Sequence, residues 1–262
     1  ELNSVATRTP TVFAVSEIKD DGSTSPIRGA SPVLPLLVMA VVVVVWGLGP
    51  PTTKLVTAPP LIGTFVRFGI SSPLLIVVLA ARRRVLSRKV FIATALPGLS
   101  FGINLIFVFA TLQEATVSVL STVVAMQPAL LLVLAGPLFR EYPTSRQLAF
   151  TLAGVVGAVG VILGAGSEIR SSWLGVGLAA LSLVTFTLYF VLTRLARSED
   201  EVDPIEWMAG INIWAFLSTI VPILLLADRS DWAQFGGKDW LWIAVVAFVT
   251  GVFGHVLMTW LH

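Results

Sequence analysis

Leu61-Ile62-Gly63-Thr64-Phe65-Val66-Arg67-Phe68-Gly69-Ile70 lies inside an apolar run covering residues 59–81. A helix that crosses a bilayer needs about 20 such residues, and this run supplies them with one charge, Arg67. A cation at that depth costs roughly 2.5–3.5 kcal/mol on insertion scales, so it normally faces a protein interior and a partner. Seven further runs have the same character: 33–53, 90–111, 115–138, 147–166, 173–193, 204–227 and 239–261. They are far too long for the strands of about ten alternating residues that build an outer-membrane barrel. The expected fold is therefore an all-α polytopic membrane protein.

Composition supports the same class. Hydrophobic residues make up 56%, charged residues 12%, and the mean hydropathy is +0.90, whereas soluble domains average about 25% charged residues. A water-soluble globule could not hide this much apolar surface. The pI near 9.3 reflects basic residues between apolar runs, so nucleic acid is not an expected partner. With no cysteine and two histidines, His255 and His262, disulfides and thiolate-bound zinc are excluded and a histidine-rich metal site is not expected. No GxxxxGK[ST] phosphate loop, HExxH or GxSxG is present. No cofactor, no metal and no catalytic residue is expected, and the chain reads as a non-enzyme.

Residues 1–32 are polar and rich in Ser, Thr and Pro; they read as a disordered cytoplasmic tail, without the short apolar stretch of a signal peptide. Lys and Arg in the loops set the orientation. With the N-terminus inside, twelve basic residues fall inside, Arg82-Arg83-Arg84 and Arg88-Lys89 among them, and four outside. The chain is thus expected to be integral and multi-pass in the inner or plasma membrane, N-terminus cytoplasmic. Trp173, Trp232, Trp240 and Trp242 fall at expected outer helix ends, and Trp207 at an inner one.

The chain repeats itself weakly. Trp46 through Thr53-Lys54 aligns with Phe186 through Thr193-Arg194 at an offset of 140, Pro60 with Pro204 at 144, and Asn104 with His255 at 151. The offset grows only in loops. Each repeat would hold five helices, and an odd number inverts the second copy in the membrane, which is a transporter architecture. The first repeat would cover residues 33–166. The second, 167–262, would stop after its third helix, giving about eight of an expected ten spans; both chain ends read as clipped.

Trp46-Gly47 followed by Lys54, Pro59-Pro60 followed by Arg67-Phe68, Ala110 with Thr116-Val117-Ser118 and Pro128, and Glu141 followed by Gln147 and Gly154, in this order and spacing, resemble the EamA-type family of the drug/metabolite transporter superfamily. The resemblance implies ten helices as two inverted five-helix repeats, both termini inside, and secondary transport of small metabolites.

Five residues are the expected substrate pathway: Arg67, Trp46, Asn104, Gln127 and His255. Arg67 is about eight residues, roughly 12 Å, from the outer start of its helix, and its guanidinium suits a carboxylate or phosphate. Trp46 precedes Pro50-Pro51, which removes two backbone donors and must distort the first helix; Gln127-Pro128 opens a second break. Such breaks are tolerated only where protein or a water cavity receives the freed carbonyls. Asn104 and His255, at matching repeat positions, are expected to face each other, and Asn212 lies near the repeat mate of Arg67. Single polar residues of this kind also serve as interhelical glue. Gly160 and Gly164 read as a close-packing pair. Glu141 is expected to contact Arg140 or Arg146. No acidic residue is expected deep in a span, which disfavours proton antiport through a carboxylate in the first helix. The expected function is secondary transport of a small polar or anionic metabolite by alternating access. The partners are that small-molecule solute and the lipid bilayer, with a homodimer left open. The alternatives are a membrane-embedded enzyme acting on a lipid-linked substrate, for which the acidic run Glu199-Asp200-Glu201-Asp203 is the candidate, and a non-transporting scaffold or inactive fragment.

Overall fold

The computed structural model describes residues 33–164, 172–197, 202–255 and 257. The expected tail, residues 1–32, and Glu199, Asp200 and Glu201 of the acidic run lie outside them. Among the described residues six helical segments are long and apolar enough to cross a membrane: Leu34–Lys54, Pro60–Ala81, Ala95–Glu114, Val117–Phe139, Trp173–Ala196 and Pro204–Leu226. The other two expected spans, 147–166 and 239–261, are not among these six; they overlap α8 (Ser145–Gly164) and, after the short α11 (Arg229–Gln234), α12 (Lys238–Val245), which runs into a π-helical segment, Val246–Phe253. No strand occurs among the described residues. The protein is an all-α, polytopic membrane protein.

Proline sets the breaks. The first span divides at Leu48 into α1 (Val33–Gly47) and α2 (Gly49–Lys54). Pro50 and Pro51 have no N–H, so the carbonyls of Trp46 and Gly47 lose the donors that would close the helix. The fourth span divides in the same way into α6 (Val117–Val124) and α7 (Gln127–Phe139), where Pro128 withholds a donor from Val124. Both breaks are where the sequence puts them. The break at Thr94, between α4 (Arg88–Ala93) and α5 (Ala95–Glu114), has the same cause, since Pro97 withholds a donor from Ala93, although the sequence reading does not place it; the π segment has no such signal in the sequence.

Around α5 lies the frame of the bundle. It packs on α3 (Pro60–Ala81), on α9 (Trp173–Ala196) and on α10 (Pro204–Leu226), and α3 packs on α10. Gly98 and Gly102 make the α5–α10 approach possible. A Cβ on Gly98 would lie 2.8 Å from the Ile211 carbonyl oxygen, and one on Gly102 would lie 2.6 Å from that of Ala215. In α8 a Cβ on Gly154, Gly157 or Gly160 would meet nothing within 4 Å among the described residues, so this stripe packs on no described helix. Spacing identifies a small-residue stripe but does not say which stripe faces a helix. Trp207 corrects another expectation. It is 2% exposed, part of the core with Phe68, Phe101 and Ile211, and not an interfacial anchor. Trp173, by contrast, is 90% exposed.

Hydrogen bonds tie the loops at both ends. At the end where α1 begins, the N-side, Arg84 donates to Asp203 at 3.0 Å and the Ser87 N–H donates to Glu206 at 2.9 Å. At the far end, Lys54 donates to the carbonyls of Leu112 and Ala115 at the end of α5. Gln113 donates to the Ala58 carbonyl at 2.8 Å, and the Thr57 N–H donates to Asp239 at 2.7 Å.

Candidate functional site

Both broken helices and the π segment border one cavity of about 1010 Å³. Trp46, Gly47, Gly49, Pro50 and Thr53 form one wall from the first span, and Leu120, Ser121, Val124 and Ala125 another from the fourth. Opposite stand Arg67 of α3, Phe101, Asn104, Leu105 and Val108 of α5, Val246 and Thr250 of the π segment, and His255. The cavity continues to the N-side ends of α9 and α10, where Phe190, Thr193, Arg194, Arg197, Trp207 and Met208 line it. A volume of this size suits a small organic solute. The π segment fits the same pattern, since π-bulges concentrate at functional sites.

Arg67 is 7% exposed and borders this cavity. Among the described residues it has no hydrogen bond and no ion pair; its guanidinium carbon lies 5.7 Å from the Phe68 ring centroid, and Nη2 lies 3.7 Å from where a Cβ on Gly251 would be. A buried cation left this way is a strong demand for an anion or for water in the cavity. Trp46 lies with its ring 5.2 Å from that of His255, edge-on at 64°, and its indole N–H is buried without an acceptor. Gly254 makes room for it, because a Cβ there would lie 2.7 Å from the indole nitrogen. His255 in turn meets Phe101 at 5.8 Å, and Phe101 meets Tyr189 at 4.9 Å. The result is a largely aromatic chamber with a cation in its wall.

Asn104 and His255 both border the chamber, but Asn104 does not reach for His255. Its amide donates to the Ser182 carbonyl oxygen at 2.8 Å and to Ser182 Oγ at 2.9 Å, fastening α5 to α9. Asn212 likewise ties α10 to α3, accepting from Ser71 Oγ at 2.7 Å. Gln127 departs from the expectation. It opens α7, is not among the residues lining the chamber, and its amide nitrogen is buried without an acceptor. Val124 and Ala125 at the Pro128 break face the chamber, and Gln127, two residues beyond Ala125, turns elsewhere. Glu141 pairs with Arg194, not with Arg140 or Arg146. The Arg194 Nη1–Glu141 Oε2 distance is 3.1 Å, a second contact joins Nη2 to Oε1, and the guanidinium lies 4.1 Å above the Phe139 ring centroid. The hydrogen bonds from Arg194 hold the Glu141 carboxyl below the usual carboxylate range. Sequence neighbours made Arg140 and Arg146 the natural partners; the fold brings in a residue 53 positions away.

Residues 33–163 match the model of the EamA-like transporter family. The chain belongs to that family. No curated protein matches the chain. As an EamA-like protein with several apolar spans, it is an integral, multi-pass membrane protein of the transporter type. Asp239 is the residue the sequence reading missed. It opens the apolar run 239–261, where a carboxylate is expected to face solvent, yet it is 3% exposed, and only its position opposite the 55–59 loop reveals why. Among the described residues no group of three or more His, Cys, Asp or Glu side chains is arranged to hold a metal ion.

Proposed function

We propose that this EamA-like protein is a secondary transporter that carries a small polar or anionic metabolite across the inner or plasma membrane by alternating access. Its N-terminus lies on the cytoplasmic side, and the two parts of the chain, residues 33–166 and 167–262, act as related, inverted repeats around the chamber. The observation that carries this reading is Arg67, a buried cation with no hydrogen bond or ion pair among the described residues, in the wall of a chamber bordered by two proline-broken helices. Freed carbonyls at Trp46 and Gly47, the unpaired Trp46 N–H and the guanidinium offer both acceptors and donors to a polar solute. The aromatic wall offers apolar contact to the rest of it. Trp46 and His255 contribute that wall, Asn104 holds two of the chamber's helices together, and Arg67 holds the anionic group.

A vesicle uptake and export screen with the native protein tests the reading. The transported solutes are expected to share a carboxylate or phosphate and to compete with one another. Transport confined to cationic solutes, or no transport of any solute by correctly inserted protein, would contradict it.

A further inference from the structure

Two residues of the charged types Asp, Glu, Lys and Arg are buried among those described: Arg67 at 7% exposure and Asp239 at 3%. The first lines the chamber. The second has no place in the function argued so far. Asp239 lies in the first turn of α12 at the far end of the bundle, the end away from the chamber's Arg194 and Arg197. Its Oδ1 accepts the Thr57 N–H at 2.7 Å and the Thr57 hydroxyl at 3.1 Å, and Oδ2 lies 3.2 Å from the same hydroxyl. Thr57 is the midpoint of the loop 55–59 that joins α2 to α3. The same loop is held from the other side by Gln113, which donates to the Ala58 carbonyl, and α2 is held just before it by Lys54 on the carbonyls of Leu112 and Ala115. Val56 and Ala58 are buried between these anchors. The loop is therefore stitched across the far end, from the end of α5 to the start of α12.

The chamber approaches this end only as far as Thr53 of α2, which is 6% exposed. Any opening to the far side must separate α2 and its loop from α12 or from α5. The α5 side is held by a cation on helix-end carbonyls and by an amide. On the α12 side Val56 and Ala58 pack with Ile243, and the polar contacts come from one carboxylate, with no ion pair to Asp239 among the described residues. Of the charged groups on the packed elements, Lys54 of α2 is committed to α5, Arg67 of α3 borders the chamber, and Lys238 is exposed. We infer that Asp239 is a positioning residue for transport: its bonds to Thr57 lock the far end shut, and their release is the step that gives the chamber access to that side. Hydrogen bonds to an ionised acceptor are roughly twice as strong as neutral ones, which suits a lock made from a single residue.

The inference rests on the transporter reading, but its test needs no solute, so a failure here is distinct from a failure to transport. The chain has no cysteine, so Thr53→Cys provides a single reporter thiol in the chamber. An impermeant maleimide is applied separately to each face of reconstituted vesicles. With Asp239 intact, labelling is expected from the N-side and slowly from the far side. Adding Asp239→Ala raises far-side labelling roughly tenfold or more, the effect of losing hydrogen bonds to a charged group. Thr57→Val keeps the N–H and raises it by a smaller factor. N-side labelling stays unchanged in both and reports that the bundle is intact. Far-side rates within about threefold of the parent in both variants would overturn the inference; if Asp239→Ala does not insert, Thr57→Val decides by the same threshold.

Discussion

The two ends of the bundle use the same polar chemistry at different depths. At the N-side, the Glu141–Arg194 pair guards the chamber with about half of each side chain in solvent, and Arg197 rests 5.5 Å from the Trp207 ring centroid. At the far end, Asp239 is buried and the loop it holds is buried with it. Exposed ion pairs are screened by water and salt and constrain little. Buried, charge-assisted hydrogen bonds to backbone are costly to break. The contrast teaches that one end is built to be crossed and the other to stay closed until a specific set of bonds lets go. Between them the glycine-packed contact of α5 with α10 is a frame that does not take part in either.

The frame is where the largest effect is expected. Gly102→Ala drives a methyl group into Ser218 Oγ and towards the Ala215 carbonyl oxygen at 2.6 Å. It should destabilise the protein by about 1–3 kcal/mol or more, as overpacking does, seen as a lowered melting temperature in detergent. Gly160→Ala, with nothing within 4 Å, should be neutral or stabilising by up to about 1 kcal/mol. Equal effects would break the distinction between frame and periphery. Lys54→Ala at the far end comes next. It leaves the end of α5 without its cation at Leu112 and Ala115, a loss of about 1 kcal/mol, and it should also speed far-side labelling of the reporter thiol. Gly254→Ala, which displaces the Trp46 indole, should lower transport with a smaller effect on melting. The smallest effect belongs to Glu141→Gln at the N-side mouth, where no change in melting temperature is expected. The Glu141 carboxyl is held below its ordinary range, so its pairing is present above the unfolded value and is lost as pH falls through the lowered folded one. Parent protein should therefore keep the pair well into mild acid, and Glu141→Gln should abolish any pH response of the mouth there.

What could be read in advance follows from how far each signal reaches along the chain. Spans are local, since about twenty apolar residues make a helix in lipid; breaks are partly so, since Pro50-Pro51 and Pro128 withhold their own N–H where the first and fourth spans divide, while Pro73, Pro137 and Pro222 sit inside helices that continue. Arg67 is conspicuous for a local reason too, the cost of its charge among apolar neighbours. Partners are not local. Glu141 finds Arg194 across the bundle, Asn104 finds Ser182, and Asp239 finds Thr57, because packing decides which helix ends meet. The glycines of α5 and α8 have the same spacing, and only tertiary packing tells the helix contact from the open face. Gln127 has the break beside it but not the direction, since the two positions from Ala125 rotate a side chain by about 200° on a helix.

The central claim is that the buried charge of Arg67 belongs to the solute's path. The most direct test is transport by Arg67→Leu and Arg67→Lys in proteoliposomes, at equal protein content and verified insertion, with a solute from the vesicle screen. The account predicts no transport by the leucine variant and partial transport by the lysine variant, because a point charge at that position still attracts an anion but cannot grip it bidentately. Transport by correctly inserted Arg67→Leu at the parental rate would contradict it.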